Sequence, residues 1–461
     1  MDTLSVEVLQ MIVEELQDFE DDWRTRLTKA SRNDLHSFRL VCQSWRGAAW
    51  RAWGRSISIG PYRLVRCSLE ALGEISEHRE ALEWVTSITI GTERFHSEAY
   101  DDIKEWVQEG RTPRTVARRR RGYHAYQKLC DEQERMDYSG EMTLLLSRTF
   151  AKFQHLRKIS IYSPPSTDHP ILPEAIPCPR WPGCAEQKIL DEAQKKVKDM
   201  YSLYAHQGAV AGVISAVVDS KILLKELRSE GGKIDAQALD IPQELLQAAL
   251  PSLEHIALSL NEPTWIYKAR GTAAMTTRPD GWEDWIPGFF KHAHNLQRLD
   301  LSFPALLEYP ASPPLGLFGN NRHIADPEWF NGLKSIGFPS LTHLVLRQFC
   351  AGEQDLMAFI RRQSSTLTSL TLMELTLASG GWGTLLISLG KDCNLDELIV
   401  RDPLVGPMGN VFVRQHSHFE IAAKKVVIIT VGGAQVWPLD TGQAPIGTSF
   451  ARDSTTILDL E

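Results

Sequence analysis

The feature that most constrains the fold is a six-residue pattern, apolar-x-x-apolar-x-apolar, which occurs seven times along the chain. The copies begin at Val85, Leu156, Leu253, Leu296, Leu341, Leu367 and Leu395. The fourth and sixth residues of each copy alternate along a short strand, so both point into the same core. The pattern therefore predicts a series of buried strands built from one repeated unit.

The stretches before these strands predict helices. Four are clear in the sequence, at 144–153, 244–252, 355–364 and 384–393. A strand–helix unit leaves its ends uncovered, so neighbouring units must stack. The last five copies begin 43, 45, 26 and 28 residues apart, and two of these intervals match the period of leucine-rich repeats, 20–29 residues. We therefore expect an α/β fold in which residues 55–402 form an irregular leucine-rich-repeat-like solenoid.

The uneven intervals predict insertions near 162–250 and 302–330. The first contains a proline-rich stretch (163–183), a helix over 185–207 and an apolar run over 208–218. The second is rich in Pro, Gly and Asn, which is typical of an irregular loop. Residues 56–59 are interpreted as a first capping strand. Residues 403–461 are interpreted as a cap or tail that either closes the array or pairs separately.

The N-terminal segment predicts an amphipathic helix. Leu4, Val8, Ile12 and Leu16 follow each other at steps of four, and Leu9 and Val13 widen this apolar stripe. Thr3 or Ser5 is the expected N-cap.

A second helix is expected after Asp34, which is a plausible N-cap. Leu35, Phe38, Cys42 and Trp45 recur at steps of three and four, while Leu40 and Val41 lie off that line. A helix that is apolar on more than one side is buried between partners. The charged stretch 17–33 between the two helices is expected to be a surface loop.

Together these residues resemble the F-box, whose usual form is Leu-Pro-x-Glu-(Leu/Ile)-Leu followed by a Leu-Val-Cys-x-x-Trp helix. Here the matching stretches are Leu4-Ser-Val-Glu7-Val8-Leu9 and Leu40-Val41-Cys42-Gln-Ser-Trp45, with Ser5 in place of the usual proline. The resemblance identifies 1–54 as an F-box-like helical domain.

The resemblance implies that this domain binds the Skp adaptor of a cullin–RING ubiquitin ligase, with Trp45 and Val41 as anchor candidates. It also implies a receptor without catalytic activity, whose repeats bind a protein substrate. The adaptor-binding residues that it implies are Leu4, Val8, Leu9, Ile12, Leu16, Leu35, Phe38, Leu40, Val41, Cys42 and Trp45.

Two other functions stay open at this stage. The helices could merely cap a repeat scaffold that has no link to ubiquitin transfer. Alternatively, the 162–250 insertion could hold an active site that no known motif marks.

Composition narrows the function classes further. The net charge of −8, from 50 basic and 58 acidic residues, argues against a general nucleic-acid or anionic-membrane binder. The sequence contains no apolar run long enough to span a membrane, and the start does not resemble a signal peptide. Seven scattered cysteines fit reduced thiols better than a disulfide framework. We expect an intracellular protein of the cytoplasm or nucleus.

We find no catalytic or cofactor motif, and we predict no cofactor, metal or catalytic residue. Cys178 and Cys184, with His169 nearby, could form half a zinc site or belong to a proline-stiffened loop. The pairs His292/His294 and His416/His418 are interpreted as surface histidines. Arg118–Arg121 is either a nuclear import signal or anion-binding patch, or a solvated helix or loop whose charge the acidic residues around it offset. Residues 379–384 (SGGWGT) are interpreted as a turn that caps the next helix.

Overall fold

The computed structural model divides the chain into two compact units, Met1–Ala238 (unit 1) and Leu239–Glu461 (unit 2). The structure describes residues 4–18, 28–57, 62–78, 82, 85–92, 100–163, 207–231, 234–261, 285–303, 333, 335–348, 350–373, 375–401, 404–405, 409–410, 423–430 and 433–436. Both units combine helices with parallel strands, so the chain is an α/β protein.

Unit 1 begins with three helices, which we call the head: α1 (Val6–Glu15), α2 (Lys29–Arg39) and α3 (Gln43–Ile57). The remaining elements are strands separated by helices. In chain order they are β1 (Tyr62–Arg63), α4 (Arg66–Ile75), β2 (Ser87–Gly91), α5 (Tyr100–Gln108), α6 (Pro113–Ser139), α7 (Glu141–Phe150), β3 (Lys158–Ser163), α8 (Gln207–Ser220), β4 (Glu226–Gly231) and β5 (Ile234–Asp235).

The strands of unit 1 form a parallel ladder in the order β1-β2-β3-β4. The repeated apolar residues stand opposite each other, with Ile88 beside Ile159 and Ile90 beside Ile161. All four side chains are fully buried. Among the helices of this unit, α7 packs against both α4 and α8.

Unit 2 repeats this arrangement more regularly. After a 3₁₀ turn that starts in unit 1 (Ala236–Leu239), its elements are α9 (Gln243–Ala249), a second 3₁₀ turn (Leu250–Ser252), β6 (His255–Asn261), α10 (Trp285–Phe290), β7 (Arg298–Ser302), β8 (His343–Arg347), β9 (Cys350–Gly352), α11 (Glu353–Gln363), β10 (Ser369–Met373), β11 (Thr376–Ser379), α12 (Trp382–Asp392), β12 (Leu395–Arg401), β13 (Leu404–Val405), β14 (Gly409–Asn410), β15 (Ala423–Thr430) and β16 (Gly433–Val436).

The main ladder of unit 2 runs β6-β7-β8-β10-β12-β15 with every pair parallel, and β16 then pairs with β15 in the antiparallel sense. Leu299, Leu344, Leu370 and Leu398 stand in one register row and are fully buried. Where several of these strands begin, one carbonyl just before the neighbouring strand accepts hydrogen bonds from two successive N–H groups. The carbonyl of Thr342, for example, accepts from the N–H groups of Thr368 (2.9 Å) and Ser369 (3.0 Å).

A smaller sheet in unit 2 shows that each repeat has two strands. Its order is β14-β13-β11-β9, in which β9, β11 and β13 are parallel and β14 is antiparallel to β13. The short strands β9, β11 and β13 follow the long strands β8, β10 and β12, and helices follow β9 and β11. The repeating unit here is therefore long strand, short strand, helix.

Polar side chains connect successive repeats of unit 2. The buried amide of Gln363 accepts from the Phe338 N–H (2.8 Å) and donates to the Ile336 carbonyl (3.1 Å). The Glu353 carboxylate accepts from the Gly381 N–H (2.7 Å) and the Thr384 hydroxyl (2.6 Å). These bonds satisfy backbone groups that helix termini and turns leave unpaired.

The structure confirms the strand and helix predictions at the repeats. The seven patterned segments lie at β2, β3, β6, β7, β8, β10 and β12, and the four predicted helices are α7, α9, α11 and α12. The turn at 379–384 is also confirmed, since Gly380 has φ +85° and Gly381 is the N-cap of α12.

Other predictions were wrong. The capping strand at 56–59 fails because α3 continues to Ile57, past the expected domain boundary at 54; residues 58–59 lie outside the described residues. The 162–250 insertion is not a single insertion, because its apolar run is helix α8 and a further ladder strand, β4, follows it. At the other end, strand β15 pairs with β12 and β16 pairs with β15, so part of 403–461 continues the ladder, which is one of the two alternatives left open for this segment.

Three predicted segments cannot be compared with the structure. Residues 164–183 of the proline-rich stretch and 185–206 of the expected helix lie outside the described residues, and so do 304–330 of the second insertion.

Candidate functional site

The head is held in place by side chains that cap its helices. The Ser5 hydroxyl accepts from the Val8 N–H (3.4 Å) at the start of α1, as expected for an N-cap. The pKa of the Glu7 carboxyl lies below its ordinary value because a backbone hydrogen bond and the Ser5 hydroxyl stabilise its charged form. Helix α2 is capped by Thr28 instead of the expected Asp34, since the Thr28 hydroxyl accepts from the Ser31 N–H (3.2 Å).

The head has its own hydrophobic core. All its members come from the three helices: Leu9, Val13, Leu35, Trp45, Ala48, Ala49 and Ala52 are buried, and Ile12, Phe38 and Cys42 pack against them. The rings of Phe38 and Trp45 lie 4.7 Å apart at a tilt of 35°. The three helices thus bury one another's apolar side chains, which accounts for the expected burial of the second segment on more than one side.

This core corrects the expected role of Trp45. Its side chain is only 8% exposed, so it joins the helices to each other and is not an anchor on the outer surface. The segment 35–50 is also not one helix. Helix α2 ends at Arg39 and α3 begins at Gln43, because the N–H groups of Leu40 and Val41 bond back to Ser37 (3.0 Å) and Phe38 (3.1 Å) in a tight turn.

The turn places Leu40 and Val41 on the outside of the head, where they are 75% and 58% exposed. Helix α1 presents a second exposed apolar group, made up of Leu4, Val8 and Met11 at helical steps of four and three, and Val6 is exposed on another side of the same helix. We call these six side chains the outer apolar surface: Leu4, Val6, Val8, Met11, Leu40 and Val41.

The eleven expected adaptor-binding residues therefore divide into three groups. Leu4, Val8, Leu40 and Val41 are exposed, Ile12, Leu16, Phe38 and Cys42 are partly buried, and Leu9, Leu35 and Trp45 are core. Sequence reasoning missed Val6 and Met11. Met11 could have been found, because it lies seven residues after Leu4 and hence on the same face of a helix.

The two ends of the long connection between α1 and α2 are joined by hydrogen bonds to one buried side chain, Ser31. The Ser31 hydroxyl donates to the Leu16 carbonyl (2.9 Å) and accepts from the Asp18 N–H (2.9 Å). The Thr28 N–H also bonds the Asp18 carbonyl (2.9 Å). The extra length of this connection thus leaves the packing of the helices intact. The expected loop over 17–33 was too long, since α2 already starts at Lys29.

The arginine run lies on helix α6. Arg118, Arg120 and Arg121 are exposed, whereas Arg119 lies over the Trp106 ring at 4.8 Å and donates to the Trp106 carbonyl at 2.6 Å. Glu109 lies 3.9 Å from Arg119. This is the arrangement of a solvated helix face whose one inward arginine packs against its neighbour.

The described histidines and cysteines do not form a reactive or metal-binding group. Within the described ranges no three His, Cys, Asp or Glu side chains lie together as metal ligands would. His292 bonds Gln243 at 3.2 Å. Burial raises the pKa of the Cys393 thiol to about 11, which keeps it protonated and unreactive. The expected candidates Cys178, Cys184, His169, His416 and His418 lie outside the described residues.

Neither a scan of protein-family models nor a search of curated proteins found a match for this chain. In the part of the chain that the structure describes, no helix is both long and apolar enough to cross a membrane.

Proposed function

We propose that this protein is the substrate-receptor subunit of a Skp–cullin–F-box ubiquitin ligase. The head binds the Skp adaptor, and the repeats bind a protein substrate. One observation carries the proposal: six of the ten large apolar side chains that are exposed among the described residues lie between residues 4 and 41. Single exposed apolar residues are normal on a protein surface, but such a concentration is typical of a binding site.

The outer apolar surface is also energetically suited to docking. Each of its side chains is 40–75% exposed, so burying the exposed part adds on the order of 1 kcal/mol. Together these side chains contribute about 6 kcal/mol, which is comparable with the cost of association of about 4–15 kcal/mol, so they supply part of the free energy that docking needs. Because the head core is complete without a partner, docking requires no refolding of the three helices.

We further propose that the strand–helix units stack as an irregular leucine-rich-repeat-like solenoid. The in-register rows of buried leucines and the hydrogen bonds between successive repeats in unit 2 support this architecture. Such a receptor catalyses nothing itself. It raises the effective concentration of the substrate at the enzyme that transfers ubiquitin.

The proposal is tested by measuring the dissociation constant of the full chain and a purified Skp adaptor by isothermal calorimetry. Val41→Asp and Met11→Glu change exposed residues of the turn and of α1. Leu223→Asp and Leu144→Glu are matched controls, because both residues are exposed apolar side chains in unit 1 outside the head. We expect the head variants to bind at least about tenfold more weakly, since each buries a charge in an apolar contact.

The melting temperature separates docking from stability. We expect it to stay unchanged in all four variants, because none of these side chains is buried. If the helices were only a cap on a scaffold, the wild-type chain would not bind the adaptor. Absent binding, or equal binding by head variants and controls, would refute the proposal.

A further inference from the structure

Thr112 and Pro113 form a sequence signal that the proposed function does not use. Residues 109–112 connect α5 to α6, and Pro113 is the first residue of α6. Proline has no N–H group and restricts the residue before it to extended conformations, and Thr112 has φ −127° and ψ 149°. A hydroxyl residue directly before proline is the acceptor that proline-directed protein kinases recognise.

Exposure distinguishes Thr112 from the other residue of this kind. Within the described ranges, a Ser or Thr precedes a proline at two positions, Thr112 and Ser163. Ser163 lies at the end of β3 and is only 3% exposed. Thr112 is exposed, and so are Arg111, Pro113 and Arg114 around it. An enzyme that binds both sides of its acceptor residue therefore has access to Thr112 in the folded chain.

The start of α6 is also a place where the backbone opens easily. The first N–H groups of a helix have no partner within it, and helix ends fray. The N–H groups of Thr115 (3.2 Å) and Val116 (3.0 Å) donate to the hydroxyl and the carbonyl of Thr112. Opening this first turn frees Thr112 and the residues after it to lie extended in the cleft of a kinase.

The charges around Thr112 favour a phosphate group. Arg111, Arg114 and Arg120 are exposed, and none of them forms an ion pair within the described part of the chain. Thr112, Arg111 and Arg120 line one open cavity of about 420 Å³. Helix α6 has no acidic residue in its first turn, although the positive end of the helix dipole favours a negative group there. The arginines thus add positive charge to an end that is already partly positive, and a phosphate would offset it.

We propose that Thr112 is phosphorylated by a proline-directed protein kinase and that the arginines at the start of α6 then hold the phosphate. The Thr112 hydroxyl oxygen attacks the γ-phosphorus of ATP, and the bond from that phosphorus to the β–γ bridging oxygen breaks. ADP leaves with the electron pair of that bond, and the hydroxyl proton passes to a base of the kinase. The product carries about two negative charges and three acceptor oxygens, which suit arginine side chains and a helix start. The inference does not depend on the receptor function, because none of these residues belongs to the head.

The test incubates the purified full chain with ATP and a mitogen-activated protein kinase, and it locates the phosphate by tandem mass spectrometry. Pro113→Ala removes the proline but keeps the hydroxyl and a residue that favours a helix. Thr112→Ser keeps both the hydroxyl and the N-cap. A synthetic peptide of residues 106–120 shows whether the kinase accepts the same sequence without the fold.

We expect phosphate on residue 112 of the wild-type chain, of Thr112→Ser and of the peptide. Pro113→Ala should lower the rate at least about tenfold, as for the loss of one small apolar contact in an enzyme pocket. No phosphate is expected on Thr115, which no proline follows, or on the buried Ser163.

Hydrogen exchange tests whether the arginines hold the phosphate. Phosphorylation should slow the exchange of peptides covering the first turn of α6 about fivefold, as for one anion at a helix start. In Arg120→Gln this slowing should shrink. Arg135→Gln is the matched control, because it removes the same charge from an exposed site further along α6, and it should leave the slowing unchanged.

Several results would overturn the inference. An unmodified Thr112 in the full chain does so in either case: a phosphorylated peptide would show that the fold blocks the site, and an unmodified peptide would show that the kinase rejects the sequence. Equal rates for Pro113→Ala and the wild-type chain, or phosphate on Ser163 as readily as on Thr112, would refute the assignment. Exchange that does not slow after phosphorylation, or equal effects of the two arginine substitutions, would refute the role of the arginines.

Discussion

The Gln363 bridge offers a sharp test of how the repeats are held together. In Gln363→Met the side chain keeps its length but can no longer pair with the Phe338 N–H or the Ile336 carbonyl. Phe338 and Gln363 are each 1% exposed, so water does not replace the partner of the Phe338 N–H, whereas Ile336 is only partly buried. Leaving one buried polar group unpaired costs about 1–3 kcal/mol, and we expect local destabilisation of that size.

The assay is hydrogen exchange by mass spectrometry on a peptide that covers Phe338. Since 1.4 kcal/mol corresponds to a factor of ten, the expected loss makes exchange of this amide about 5- to 150-fold faster. Arg362→Met is the control, because it introduces the same residue one position earlier on an exposed site of α11. Equal exchange rates in the two variants would refute the role of Gln363.

Three further predictions concern the core, the titration and the glycines of the described residues. Leu299→Ala removes a fully buried member of the leucine row, so urea denaturation is expected to show a loss of about 2–5 kcal/mol; a loss below about 1 kcal/mol would contradict its place in the core. The pKa of His343 is lowered by burial and by Arg298 from 6.5, so the unfolded chain takes up protons more readily, and stability falls as pH falls below 6.5. His343→Gln should flatten that decline in thermal melts recorded between pH 7 and pH 5, and an unchanged decline would show that other groups cause it. Gly47 lies in a helix where an added Cβ meets nothing within 4 Å, so Gly47→Ala should stabilise the head by about 0.5–1 kcal/mol. Gly140 has φ +68°, so Gly140→Ala should destabilise the protein by about 1 kcal/mol. Equal effects of the two substitutions on the melting temperature would contradict both assignments.

Sequence predicted the repeats because their buried residues alternate in a recognisable pattern. It missed β4 because Ser229 occupies the third apolar position of the pattern, although Leu224 and Leu227 are fully buried. The register shows that Ser229 stands beside Ile161 of the neighbouring strand. The apolar residue that β4 lacks at Ser229 is thus compensated by a neighbouring strand, and the sequence of one segment does not show which strands pair.

Helix α6 was missed for a different reason. Eleven of its 27 residues are charged, and one of its buried positions is the polar Gln133, so no clean apolar stripe marks it. Its ends were nevertheless visible in the sequence, with Thr112 and Pro113 at the start and Gly140 at the end. These are standard signals for helix boundaries.

The head shows the limit of periodicity arguments. Spacing placed Leu4, Val8, Leu9 and Val13 on one broad apolar side of α1, but only Leu9 and Val13 are core. Which part of such a side faces inward depends on where the other helices pack, and their positions are set by the break at Leu40. That break was unpredictable from the apolar run around it, since neither Gly nor Pro marks it.

The most direct test of the proposed receptor function is a hydrogen-exchange comparison of the full chain with and without the Skp adaptor. We predict slower exchange in peptides covering residues 4–16 and 38–45, which contain all six residues of the outer apolar surface, and no change in the strands of unit 2. Slower exchange confined to other parts of the chain, or no change anywhere at saturating adaptor, would contradict the account.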